Sequence, residues 1–267
     1  MTKPKRFFGR DPKENLKKVL ASLDSKKETP EPQPKPKIII PASNISNPEA
    51  YLILEGRTHG SYSYPDLLVS KERKYHNHTW NQVHKSLHDE GNFMLTIRQY
   101  VDFLNLLKSG KVVYDGTGKK VNPQGVTQIL NEIIEVRSPY RAEWLDAKFR
   151  KQSKKGFKGI LGVSEFMVDY GHRIVNGPLQ PKYSEPLEDC LMTDRDPGID
   201  LEDWLQNATS QGLPLPNANN GSLHYWFPRD QHVAGFGADS DRVGLDCDRN
   251  PQYSNSGLGV RQAREKI

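Results

Sequence analysis

Gly235-Phe236-Gly237-Ala238-Asp239-Ser240-Asp241-Arg242-Val243-Gly244-Leu245-Asp246-Cys247-Asp248-Arg249-Asn250-Pro251-Gln252-Tyr253-Ser254-Asn255-Ser256 sets a sparse apolar frame among crowded polar positions. Val243, Leu245 and Cys247 alternate with Gly244, Asp246 and Asp248, the period of two that belongs to a strand with one face buried and one in water. Gly, Asp, Asn and Ser adapt their hydrogen bonds to many ligands, while Tyr and Arg supply contact area. The segment 235–256 therefore reads as a recognition surface on a strand frame. Its candidate ligand-binding residues are Gly235, Gly237, Asp239, Asp241, Arg242, Gly244, Asp246, Asp248, Gln252, Tyr253 and Asn255. An ordinary polar strand-and-turn surface is the plain alternative.

Several strands are expected from Leu223 to Arg264 around this stretch, and upstream of it the signals alternate between loop and short element. Asp200-Leu201-Glu202-Asp203-Trp204-Leu205 predicts a short helix, and 212–217 a loop. After Lys151, β-like runs at Phe157 to Val163, Glu165 to Asp169 and Arg173 to Val175 are punctuated by Gly, Pro and Asn. Further back, Thr96 caps a helix with Gln99 completing a capping box, an apolar face of Ile97, Tyr100, Val101, Leu104 and Leu107, and Gly110 as its stop. Asn122-Pro123 opens another helix, with Val126, Ile129, Leu130, Ile133 and Ile134 as its buried stripe. Ser138-Pro139 predicts a third, around Trp144 and Leu145, and Tyr64 to His88 reads as helical in two pieces. Asp115-Gly116-Thr117-Gly118 is a turn that would join two short strands, Val112 to Tyr114 and Lys120-Val121.

The net charge of +5 over 267 residues is not spread evenly. Residues 1–40 hold eleven Lys/Arg against five Asp/Glu, so the remaining residues carry about −1. Within 1–40, Asp11-Pro12-Lys13-Glu14 starts a short amphipathic helix with Leu16, Val19, Leu20 and Leu23 on one side, and alternating prolines from Pro30 to Pro36 form an extended spacer. A basic, disordered arm at 1–40 and one domain at 41–267 are the expected organisation. Such an arm can contact an anionic partner, nucleic acid included, or simply solvate the chain. No run approaches the ~18 apolar residues of a membrane span, no apolar stretch follows the basic start, and two cysteines are too few for a disulfide framework. A cytoplasmic protein without a membrane partner is expected.

Motifs for chemistry are sparse. His84 and His88 lie one helical turn apart, with His78 or Asp89 to complete a zinc set, but no Glu follows His84 as the zinc-protease motif requires, and histidines on a helix surface account for the spacing better. Cys247 falls on the apolar side of its strand, and Cys190 stands beside Asp189 and Glu188, whose charge disfavours a thiolate. Nucleophile elbows, phosphate-cradling loops and dinucleotide fingerprints are missing. No enzyme activity, no cofactor and no metal are expected.

Trp226-Phe227-Pro228-Arg229, Val233-Ala234 and Ser256-Gly257-Leu258-Gly259-Val260-Arg261-Gln262-Ala263-Arg264 resemble the ending of C-type-lectin-fold domains related to formylglycine-generating enzymes, and Phe93 to Leu104 is similar to that family's first helix. Within it, the segment 235–256 looks like the variable region of the variable proteins of diversity-generating retroelements, where adenine-directed mutagenesis enriches Asn, Asp, Ser, Tyr and Gly near the C-terminus. Leu258 departs from the usual Phe, and neither cysteine sits in the catalytic motif of the enzyme branch. The resemblance implies an α+β, C-type-lectin-like domain of helices and a short antiparallel sheet. It also implies a ligand-binding protein whose hypervariable residues 235–256 meet a protein or glycan; a nucleic-acid-associated or structural role through the arm is the rival.

Overall fold

The computed structural model describes residues 47–153 and 164–266, so the arm at 1–40, its helix and spacer, and the run Phe157 to Val163 lie outside the described residues. The chain runs through β1 (Tyr51–Leu54), the hairpin β2 (Arg57–His59) and β3 (Tyr62–Tyr64), and β4 (Leu67–Lys74). Next come α1 (Trp80–Asp89), β5 (Phe93–Met94), α2 (Ile97–Lys108) and α3 (Pro123–Ile134). The second half holds β6 (Arg141–Ser153), β7 (Ser164–Tyr170), β8 (Arg173–Ile174), β9 (Leu179–Gln180), β10 (Tyr183–Pro186), β11 (Arg195–Ile199) and α4 (Leu201–Asn207). It closes with β12 (Leu223–Trp226), β13 (Val233–Ala238), β14 (Val243–Arg249) and β15 (Leu258–Glu265).

Eleven strands form one mixed sheet in the order β1-β4-β15-β6-β13-β14-β12-β11, with β7 also on β6, β10 on β7 and β5 on β15. The pairs β6–β15 and β12–β14 are parallel. This overturns the expected α+β domain of helices with a short antiparallel sheet: the described residues are dominated by strand, with four helices laid against them.

Two misread segments account for much of the difference. Leu67-Leu68-Val69-Ser70 lies in β4 between β1 and β15, buried on both faces, so no alternation marks it as a strand. Arg141-Ala142-Glu143-Trp144-Leu145-Asp146-Ala147-Lys148-Phe149-Arg150 is rich in helix formers, yet it is the start of the thirteen-residue β6, flanked by β13, β15 and β7. Pairing on both edges and packing on both faces outweigh propensities worth tenths of a kcal/mol per residue. The helix expected at Ser138-Pro139 is therefore a strand, and of the two helical pieces in 64–88 only α1 forms. The strands expected beside Asp115 reduce to a single bridge, Tyr114 to Lys120.

Local signals otherwise decide the helices. Thr96 and Gln99 form the capping box of α2, and Asn122 caps α3 with Pro123 in its first turn. Thr79 and Gln82 make a second capping box, on α1.

The sheet is packed on both sides. Against its inner face, Tyr100, Val101 and Leu104 of α2, Ile133 of α3 and Trp204 of α4 join Leu223, Tyr225, Phe236, Leu245 and Cys247 in the main core. On the outer face, Trp80, Val83 and Leu87 of α1 cover Ala142, Trp144, Val233, Leu258 and Val260 in a second, smaller core. Within the inner layer, Glu143 on β6 pairs with Arg141 and with Arg261 of β15, while Glu132 of α3 accepts from both arginines. Arg141, Glu143 and Arg261 are each at most 1% exposed. Charges so deep persist only when each is met by its opposite, so this network pins the closing strand to the middle of the sheet.

Candidate functional site

Helix α1 covers Val233 at the start of β13, and beyond it on the outer face of β12, β13 and β14 lies a cleft of about 330 Å³, lined by Tyr140, Trp226, Asp239, Arg242, Asp246, Asp248, Arg249 and Tyr253 over Gly237 and Gly244. Its location follows from alternation. Leu245 and Cys247 enter the main core, so Gly244, Asp246 and Asp248 face outward; Leu223 and Tyr225 turn inward and send His224 and Trp226 the other way.

The floor is glycine because a side chain would not fit. A Cβ on Gly244 would stand 2.6 Å from Trp226 Cζ3, one on Gly235 would stand 2.8 Å from Arg249 Nε, and one on Gly237 would stand 2.9 Å from Ala142 Cβ. The missing side chains let the Trp226 ring and the Arg249 guanidinium lie down on the sheet. His224 stacks against Trp226 with ring centroids 5.8 Å apart.

Arg249 ties the cleft together. It pairs with Asp246, donates from Nη1 to the Tyr140 hydroxyl at 2.5 Å, and lies 5.9 Å from the centroid of the Trp144 ring. Arg242, at the rim, grips Asp241 with Nε and Nη2 at 3.0 and 2.9 Å. Asp248 has a loose, shared counter-ion: Arg229 Nε is 3.5 Å away and Arg229 also pairs with Asp194. Burial, which the Arg229 charge only partly offsets, raises the Asp248 carboxyl above the usual range, and Asp194 adds to it. Three carboxylates against two guanidiniums leave the lining one negative charge in excess.

Seven of the eleven candidate residues meet at this cleft: Gly237, Asp239, Arg242, Gly244, Asp246, Asp248 and Tyr253. Asp239 also shapes the β13–β14 turn, its Oδ1 accepting from the backbone of Asp241 and Arg242 at 3.2 and 3.1 Å. Gly235 lies buried beneath Arg249, and Asp241 stands exposed at the turn, holding Arg242. Gln252 sits exposed on the following turn, where its N–H donates to Asn250 Oδ1 at 2.9 Å. Asn255 is a framework residue: its Oδ1 accepts from Gly257 N at 2.7 Å and its carbonyl from Asn77 N at 3.0 Å.

Tyr140, Trp226 and Arg249 were not among the candidates. Trp226 was legible as the outward partner of Tyr225. Arg249 was not, because a register shift between Val233 and Gly235 of β13 places it opposite Val233 on the outer face, against the alternation of β14. Tyr140 joins only through the fold, from a segment read as a helix start.

The histidines are arranged otherwise than expected. His88 and Asp89 are exposed, whereas His84, read as a surface residue, is buried on the packed side of α1. Both thiols are free and buried. Burial pushes Cys190 up to about 12, with Asp189 and Glu188 adding less, and it drives Cys247 well above its ordinary value.

Comparison with protein-family models, with curated proteins and with solved structures found no match to this chain. No helix of the described residues is long and apolar enough to cross a membrane.

Proposed function

We propose that this is a ligand-binding protein that receives a cationic, donor-rich group of a protein partner in the outer-face cleft of β12–β14. The observation that carries the reading is Asp248, a carboxylate set into the cleft wall with a distant, shared counter-ion, beside the aromatic surfaces of Trp226, Tyr140 and Tyr253. A basic side chain supplies what Asp248 lacks and gains further by lying against aromatic faces. The outward-facing polar residues of 235–256 stand clear of both cores. Exchange among them, as in the variable proteins that the segment resembles in sequence, would alter the ligand without altering the fold. That second part of the proposal predicts a near-copy of the codons for 235–256 close to the gene, differing mainly at adenines.

Isothermal titration with lysine- and arginine-containing peptides and with neutral oligosaccharides tests the reading. The expected result is peptide binding that weakens with salt and falls about 10- to 100-fold in Asp248→Asn, the 1.5–3 kcal/mol of a charge-assisted hydrogen bond. Oligosaccharide binding with no peptide binding would move the ligand to a glycan. Salt-sensitive retention on nucleic acid that disappears when residues 1–40 are deleted, with an inert cleft, would favour the arm instead.

A further inference from the structure

His84, Asp146 and His172 come from three separate parts of the chain, α1, β6 and the turn after β7, and their ligand atoms all lie within 4.8 Å of one another in the interior. Asp146 is about 1% exposed and has no Lys or Arg partner among the described ion pairs. Its carboxylate accepts from His172, through the backbone N–H at 2.9 Å and Nδ1 at 2.5 Å. His84 Nε2 points at the same carboxylate from 3.7 Å and has no hydrogen-bond partner. An anion buried without a Lys or Arg counter-ion and a buried imidazole nitrogen without a partner are two costs in one place.

We propose that His84, Asp146 and His172 bind one divalent transition-metal ion, with Zn2+ the best match. One ion removes both costs, accepting the lone pair of His84 Nε2 and neutralising Asp146. Two imidazoles and a carboxylate are a common donor set for such ions, with bonds of about 2.0–2.2 Å. Tetrahedral ligands are then about 3.4 Å apart, close to the 3.7 Å between His84 Nε2 and Asp146 Oδ1. Seating the ion replaces the hydrogen bond from His172 Nδ1, and His172 takes the other tautomer.

The surroundings fit a metal centre with an open coordination position. Asp146 and His172 both line a cavity of about 70 Å³ together with Tyr62, Thr96, Gln99 and Tyr170. That space admits a water molecule or a small ligand. Trp80 packs on both imidazoles, with its ring centroid 4.2 Å from that of His84 and 4.8 Å from that of His172.

The test uses the full chain purified without a polyhistidine tag and stripped with chelator. Zn2+ uptake is measured by equilibrium dialysis, and Co2+ serves as a coloured, paramagnetic stand-in. One ion per chain is expected, with visible Co2+ absorption and quenching of Trp80 fluorescence. His84→Gln and His172→Gln should each weaken uptake by more than the roughly 10- to 100-fold that loss of an outer-shell partner costs, with far-ultraviolet circular dichroism unchanged. If a variant does not fold, the wild-type quenching decides, since Trp80 packs on the rings of both His84 and His172 and Trp80→Phe should remove the signal. No stoichiometric uptake by the wild type, or uptake unchanged in folded His84→Gln, overturns the proposal.

Discussion

Replacing Glu143 by Gln removes the central anion of the buried network that joins β6, β15 and α3. Burial by itself would raise the Glu143 carboxyl, but Arg261 and Arg141 outweigh it and hold it at about 2, against the ordinary 4.5. At about 1.4 kcal/mol per pH unit, that gap amounts to roughly 3 kcal/mol of folding stability. A depressed carboxyl contributes in full above its unfolded value and loses its contribution as pH falls through the folded one. The stabilisation is therefore complete at pH 7, roughly halved by pH 3, and gone below pH 2. Glu143→Gln should cost about 3 kcal/mol at pH 7, at the lower edge of the 3–5 kcal/mol typical when one partner of a buried pair is removed, because Arg141 and Arg261 keep only the half-exposed Glu132. Urea unfolding followed by circular dichroism, on wild type and variant from pH 7 to pH 3, measures both the gap and its closure. A gap below about 1 kcal/mol at pH 7, or one that does not narrow on acidification, would refute the reasoning.

Three further outcomes are expected. Gly244→Ala places a Cβ 2.6 Å from Trp226 Cζ3 and 3.1 Å from the His224 carbonyl, so Trp226 must leave the floor; titration should show cleft binding lost, and thermal melts a cost of about 1–3 kcal/mol. Asp248→Asn removes a charge that burial disfavours, so stability should stay level or rise by up to about 1 kcal/mol while cation binding falls; a clear loss of stability in urea melts would contradict this. Both cysteines should resist thiol reagents at pH 8 in the native protein and react on unfolding, because burial holds each thiol protonated; rapid native labelling would contradict their placement.

Legibility in the sequence followed the range of the interaction. Thr96 with Gln99, and Asn122 with Pro123, announce their helices because caps involve residues two to four apart. Alternation in β14 announced which of Asp246, Cys247 and Asp248 would face outward, because one face of that strand is buried and the other is not. Leu67 to Ser70 of β4 and Arg141 to Ala147 of β6 carried no such signal, being covered on both faces, and β6 further resembled a helix by composition. Reading them as helices removed two central strands and reduced an eleven-stranded sheet to a short one. His84 did leave a trace, since it falls on the apolar stripe of Trp80, Val83 and Leu87, but its partners Asp146 and His172 are 62 and 88 residues further along.

By itself, then, the sequence determined the caps of α2 and α3, the inward course of Val243, Leu245 and Cys247, and the polar character of 235–256. The tertiary structure alone decided that β15 enters the middle of the sheet, that Tyr140 and Arg249 complete the cleft, and that two histidines and an aspartate meet in the interior. The physical reason is that caps and alternation are short-range preferences written in neighbouring residues. Strand order and the pairing of buried charges are settled by contacts between segments far apart in the chain, which no local pattern records.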